Sequence, residues 1–197
     1  MDLNLKFYLD YIINPHLIEK FITLFQYKKM ISFFSLEKIN LSFNVSSDII
    51  YESPFSFYIH TMFLELISGQ KLKLVQSKKQ INDFDLKKKL KIGGLITLRN
   101  DYMYLFLLKF ILINQYELYN FKGFIMNELN ENKNISFGFK TLDCFDPVFT
   151  SYEQWAFLSD HLRYGVNIDI VNNYENSFIH EILLSHLGFW FYNDYIY

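Results

Sequence analysis

The chain has 197 residues, 51% of them hydrophobic and 20% charged, with a formal net charge of −2. That is enough apolar material for one sizeable core in about one domain, and it excludes disorder for most of the chain. Phe, Ile, Tyr, Asn and Lys contribute 22, 22, 15, 17 and 17 residues, whereas Gly, Ala, Arg and Pro together contribute 13. Folding gives no reason for Ala, the best helix former, to be scarce, so the bias reflects an AT-rich gene and makes aromatic abundance weak evidence for a binding surface.

Residues 1–34 read as a helical segment, with Leu9, Ile12, Ile13, Leu17, Ile18, Phe21, Ile22 and Phe25 at three- and four-residue spacing and an interruption at Asn14-Pro15. Ser35 to Val45 alternates apolar Leu36, Ile39, Leu41, Phe43 and Val45 with Lys38, Asn40, Ser42 and Asn44, the pattern of a strand with one buried face. Ser53-Pro54 opens a helix through Phe57, Ile59, Met62, Phe63, Leu66 and Ile67 that stops at Ser68-Gly69. Lys71 to Val75 reads as an edge strand, Gln76 to Lys91 as a long basic loop, and Gly94 to Leu98 as a strand. Asn100-Asp101 is positioned to cap a helix running to Tyr116. Further strands are expected at Ile135 to Phe139, near Val148 and at Gly165 to Val171, followed by a helix from Tyr174 to Leu187 ending at Gly188 and a tail, together residues 172–197. No repeat or flexible linker divides the chain. The expectation is a single α+β domain, a mostly antiparallel sheet backed by helices.

The single cysteine, Cys144, excludes an internal disulfide and a multi-cysteine zinc site. The opening Met1-Asp2-Leu3-Asn4-Leu5-Lys6 carries neither a signal-peptide nor a transit-peptide pattern, and no apolar run reaches the roughly twenty residues of a membrane span, so no membrane insertion is expected. His180-Glu181 and His186 have a spacing of six rather than the four that a zinc helix needs, and Gly93-Gly94 lacks the lysine of a phosphate loop and reads as relaxing a strand entrance. Asp143 and Asp146 have the side chains for an acid–base pair, but nothing in the sequence brings them together. No catalytic residues, metal ligands or cofactor are assigned, and an enzyme is not expected.

Charge is distributed unevenly. From Lys71 to Arg99, nine cations (Lys71, Lys73, Lys78, Lys79, Lys87, Lys88, Lys89, Lys91 and Arg99) face two acids, Asp83 and Asp85, a local charge of +7. Thr141 to Tyr197 holds eight acids and only Arg163. A basic segment on an acidic body fits a polyphosphate partner, and it equally fits a solvated lysine-rich loop in an AT-rich gene.

One resemblance separates these readings. Leu66-Ile67-Ser68-Gly69-Gln70-Lys71, the basic loop through Lys78-Lys79, Phe84 and Lys87, then Ile92-Gly93 and Ile96-Thr97-Leu98-Arg99, resembles in order and spacing the universal L-five family of large-subunit ribosomal proteins. Leu36 to Leu41, Phe121-Lys122-Gly123, Asn134 to Gly138, Gly165 to Ile170 and Leu187 to Phe191 extend the similarity over nearly the whole chain. The resemblance implies an α+β protein of the central protuberance that binds 5S and large-subunit rRNA. It also implies contacts with neighbouring large-subunit proteins, with a small-subunit head protein at the bridge, and with peptidyl-site tRNA through the basic loop. Lys71, Lys73, Lys78, Lys79, Lys87, Lys88, Lys89, Lys91 and Arg99 are the expected RNA or tRNA contacts, and Ser42 and Asn44 the 5S-facing residues.

Two departures stand out: Asp85 and Lys87 replace a Lys and an Arg of the family, and Ser42-Phe43-Asn44-Val45-Ser46 lacks both glycines of a family loop. With the AT-rich composition, these favour an organelle-encoded protein of the mitochondrial matrix. A packing subunit that has lost its RNA role is the competing reading, supported by the acidic end.

Overall fold

The computed structural model describes residues 36–111, 124–125, 134–140, 164–172, 184–189 and 191–192, with residues 6, 12 and 15 as isolated positions. By its contacts the chain falls into two compact units, one of Met1–Lys38, Arg99–Ser136 and Ile170–Tyr197, the other of Ile39–Leu98 and Phe137–Asp169. The class is α+β, as the alternating and helical patterns require.

The strands are β1 (Leu36–Asn44), β2 (Lys73–Gln76), β3 (Lys91–Leu98), β4 (Phe124–Ile125), β5 (Ile135–Phe139), β6 (Val166–Asn172) and β7 (Phe191–Tyr192). Five of them form a sheet in the order β2-β3-β1-β6-β5, and β4 pairs with β7 in parallel. Strand β3 is antiparallel to both β1 and β2, with Leu41 opposite Ile96 and Phe43 opposite Gly94. Period-two alternation places Ile39, Leu41, Phe43, Ile96, Leu98, Val166, Ile168 and Ile170 in the core.

The helices are α1 (Ser47–Glu52), α2 (Pro54–Ser68) and α3 (Asn100–Lys109). Pro54 stands in the first turn of α2, where its missing N–H costs nothing, and Gly69 closes it in the left-handed conformation (φ 66°) with its N–H on the Glu65 carbonyl. Phe57, His60, Thr61, Leu64, Ile67 and Ser68 form the buried face of α2. The Phe57 and His60 rings lie 5.7 and 4.6 Å from that of Phe43. Both nitrogens of His60 are buried without a hydrogen-bond partner, and the burial lowers its pKa to about 4. In the other unit the buried side chains of α3 are Met103, Tyr104, Phe106 and Leu107, and the Phe110 ring stacks on Phe189 at 5.7 Å.

Several sequence expectations shift. Strand β2 starts at Lys73 rather than Lys71, because the Leu72 N–H is taken by the Glu65 carboxylate at 2.8 Å and its side chain is buried. Strand β3 starts at Lys91, so Gly93 and Gly94 lie within it rather than at its entrance. A Cβ at Gly94 would stand 2.4 Å from a Leu72 methyl and 2.7 Å from the Phe43 ring, so close packing demands that glycine. The N-cap of α3 is Arg99, without a side-chain cap, and Asn100 itself takes a left-handed φ of 52°. Helix α1 was not expected; six residues are too few to show a period. Gly188 (φ 103°) ends a helical turn as expected. The body of the expected N-terminal helix, the strand near Val148, Cys144, the body of the C-terminal helix and residues 112–116 of the helix expected from Asn100 to Tyr116 lie outside the described residues.

Candidate nucleic-acid interface

The segment between β2 and β3 is built rather than loose. At its neck Ser77, buried at 6% exposure, gathers four hydrogen bonds. Its N–H donates to the Leu90 carbonyl at 2.9 Å, its carbonyl accepts from the Lys89 N–H at 3.1 Å, its hydroxyl donates to the Lys87 carbonyl, and its Oγ accepts from the Leu90 N–H at 3.2 Å. Further out, Ile81 and Leu86 exchange two backbone hydrogen bonds of 3.0 Å around a 3-10 turn, Asn82–Phe84. Asp85 closes that turn in the left-handed conformation (φ 47°), its N–H on the Asn82 carbonyl at 3.1 Å. The Ser47 hydroxyl, from the start of α1, donates to the Phe84 carbonyl and ties the tip to the helices. Lys89 also adopts a left-handed φ, 67°, a conformation that costs a non-glycine residue about 1 kcal/mol and that the Ser77 bonds hold.

This frame presents cations. Lys71, Lys73, Lys78, Lys79, Lys87, Lys88, Lys89 and Lys91 are all exposed. Lys87 reaches back over the Tyr51 ring, its ammonium 5.5 Å from the centroid. By strand period, Lys73 and Lys91 fall on the solvent face of the sheet with Leu95 and Thr97 of β3 and with Asn40, Ser42 and Asn44 of β1. The Thr97 hydroxyl donates to Asn40 Oδ1 at 3.2 Å across that face. Ser42 is half-buried there and Asn44 exposed. A Cβ at Gly93 would stand 2.2 Å from the Phe43 carbonyl oxygen and 2.5 Å from Asn44 Oδ1, so the close approach of β3 to β1 demands that glycine. The expected residues thus form two adjoining groups, the lysine loop and the open polar face. Arg99 joins neither; it is exposed beyond the far end of β3, about 25 Å of extended chain from Lys91.

Two features lie outside the contact residues expected from the sequence, although Phe84 belongs to the resembling loop. Phe84 (68% exposed) and Ile81 (43%) project at the tip among the lysines, apolar surface where bases could stack; a phenylalanine inside a basic, polar run was the available signal. Ser77, the neck residue, carries no such signal, because its partners lie ten and thirteen residues away. Among the described residues no group of His, Cys, Asp and Glu could hold a metal ion, and no helix is long and apolar enough to cross a membrane.

Among the described residues, an α+β scaffold with a polar sheet face edged by a hydrogen-bonded, lysine-rich loop has the surface chemistry of a structural protein that suits an anionic partner. Comparison with known proteins gives the particular family. A family model described as the ribosomal L5P family C-terminus matches residues 91–191. The large ribosomal subunit protein uL5c of Stigeoclonium helveticum is 34% identical over 169 residues, 84% of each chain. The protein uL5m of Reclinomonas americana is 33% identical over 124 residues, 63% of this chain and 65% of that one. The protein uL5 of Borrelia duttonii is 28% identical over 180 residues, 91% and 94%. The chain belongs to the L5 family of large-subunit ribosomal proteins, which are structural and non-enzymatic components of the ribosome and typically bind RNA.

Proposed function

We propose that this chain is an rRNA-binding structural subunit of an organellar, mitochondrial-type large ribosomal subunit. It sits in the central protuberance, takes part in the bridge to the small-subunit head, and reaches peptidyl-site tRNA with its basic loop. The observation that carries this reading is that all eight lysines from Lys71 to Lys91 are exposed around a hydrogen-bonded frame, whereas a merely solvated loop needs no such frame. Phosphates bind the ammonium groups, and Phe84 and Ile81 offer apolar surface to unpaired bases. Ser42 and Asn44 turn towards 5S rRNA on the open face. An organellar origin draws support from the relatives uL5m and uL5c and from the AT-rich composition, and an organelle-encoded protein of the mitochondrial matrix is the form we favour.

Binding of the full chain to transcripts of 5S rRNA and of tRNA, measured as a function of salt, tests the reading. Neutralising about four to six phosphates gives a log-log salt slope of about −3 to −5, a roughly hundredfold to thousandfold loss between about 50 and 200 mM. Replacing Lys87, Lys88 and Lys89 with Glu should abolish the binding. Binding that ignores both salt and the triple replacement overturns the RNA role and leaves the second reading, a packing subunit whose acidic 141–197 stretch meets basic neighbours.

A further inference from the structure

The solvent side of α1 and α2 carries an apolar stripe that the lysine loop touches only at Tyr51, among the described contacts. Tyr51 (46% exposed), Tyr58 (52%), Met62 (68%) and Leu66 (57%) recur at helical spacing, and the last three, four residues apart, run about 12 Å along one ridge of α2. Drift towards AT-rich codons does not explain the stripe. The same drift supplies Lys and Asn, 17 of each in the chain, yet Ser47 to Gly69 contains neither, although its outer positions are where a soluble helix would accept them. The segment is kept apolar on the outside as well as the inside.

We infer that this stripe docks the apolar face of a basic amphipathic helix from a neighbouring ribosomal protein. The charges around it choose the occupant. Ser47 to Gly69 carries Asp48, Glu52 and Glu65 and no Lys or Arg. Asp48 and Glu52 are exposed, while Glu65 is half-buried with Oε1 on the Leu72 N–H. An acid-only surface repels RNA phosphates and anionic lipid headgroups, and in a symmetric pair of this chain it would set like charges beside each other. A helix bringing Lys or Arg beside Leu- or aromatic-type anchors meets both demands, and the four-residue ridge of α2 suits helix-on-helix packing. Lys87 over Tyr51 marks where the stripe meets the basic loop, so the docked helix lies next to it. The inference stands on family membership and not on the RNA role of the lysines.

The test places the photocrosslinker benzoylphenylalanine at Tyr58 and, separately, at Leu66 of the full chain, incorporated into large subunits. Both positions should capture one peptide of another ribosomal protein, with Lys or Arg at helical spacing. Met62→Lys combined with Leu66→Lys should lower that capture at least about tenfold, the scale of losing a buried apolar anchor, while leaving thermal unfolding of the free chain unchanged because both side chains are exposed. Glu52→Lys should weaken capture by a smaller factor. Crosslinks to RNA, to a second copy or to this chain itself overturn the inference, as does capture that is indifferent to the lysine substitutions. Loss of RNA binding in the Lys87–Lys89 variant with capture intact leaves it standing.

Discussion

Replacing His60 with leucine isolates an energetic feature of the core. The ring is fully buried, 4.6 Å from Phe43 and 5.6 Å from Tyr164, and neither nitrogen has a partner. Burial disfavours the cation and lowers the folded-state pKa from 6.5 to about 4. Between those values the unfolded chain binds a proton that the folded chain refuses, so stability is full above about pH 6.5 and declines as pH falls towards 4. The difference corresponds to about 3 kcal/mol across the window. Leucine carries no proton to refuse. At neutral pH it also relieves two unsatisfied nitrogens, worth about 1–3 kcal/mol, against about 1 kcal/mol of lost ring contacts. Urea unfolding of the full chain should therefore show the variant equal to the wild type or up to about 2 kcal/mol more stable at pH 7. Its advantage should grow by about 2 kcal/mol by pH 4.5. Other acids titrate in both proteins and cancel in the comparison. Parallel pH profiles for the two proteins would refute the reasoning.

Four further outcomes follow from the geometry of the sheet and the loop. Ser77→Ala removes the hydroxyl that donates to the Lys87 carbonyl and accepts from the Leu90 N–H, leaving those two groups only their mutual bond of 3.2 Å; it should cost about 1 kcal/mol in urea unfolding, speed amide exchange at Leu90, and be rescued in part by Ser77→Thr. Gly94→Ala should destabilise by about 1–3 kcal/mol in thermal unfolding, because its Cβ meets both Leu72 methyls and the Phe43 ring. Gly138→Ala should cost less, since the nearest obstacle is the movable amide of Asn167 at 2.9 Å. Asp85→Lys, adding a cation at the tip, should tighten binding to an RNA transcript in low salt and steepen the salt slope by about one.

What the sequence discloses and what it hides have separate physical causes. The alternation from Leu36 to Asn44 is legible because one face of β1 is buried and the other wet, and the limits of α2 are legible because Pro54 and Gly69 act through their own backbone. The +7 segment needs only counting, and every lysine in it is exposed. The frame of the loop is hidden because a hydroxyl such as that of Ser77 does not reveal its distant partners. Gly93 and Gly94 mislead, since a glycine that loosens a strand and one that admits a neighbour look alike without the neighbour. Helix α2 is apolar on both sides, so its period shows that it is helical without showing that Met62 and Leu66 face solvent while Phe57 and Leu64 do not.

The central claim, that the lysine frame meets RNA phosphates, is tested most directly by ultraviolet crosslinking of the assembled large subunit followed by identification of the peptides attached to ribonucleotides. Attachment within residues 78–89, at Phe84 above all, is the result the account predicts. Nucleotide attachment elsewhere on the chain with none in that segment, or crosslinks from it only to acidic protein, would contradict it.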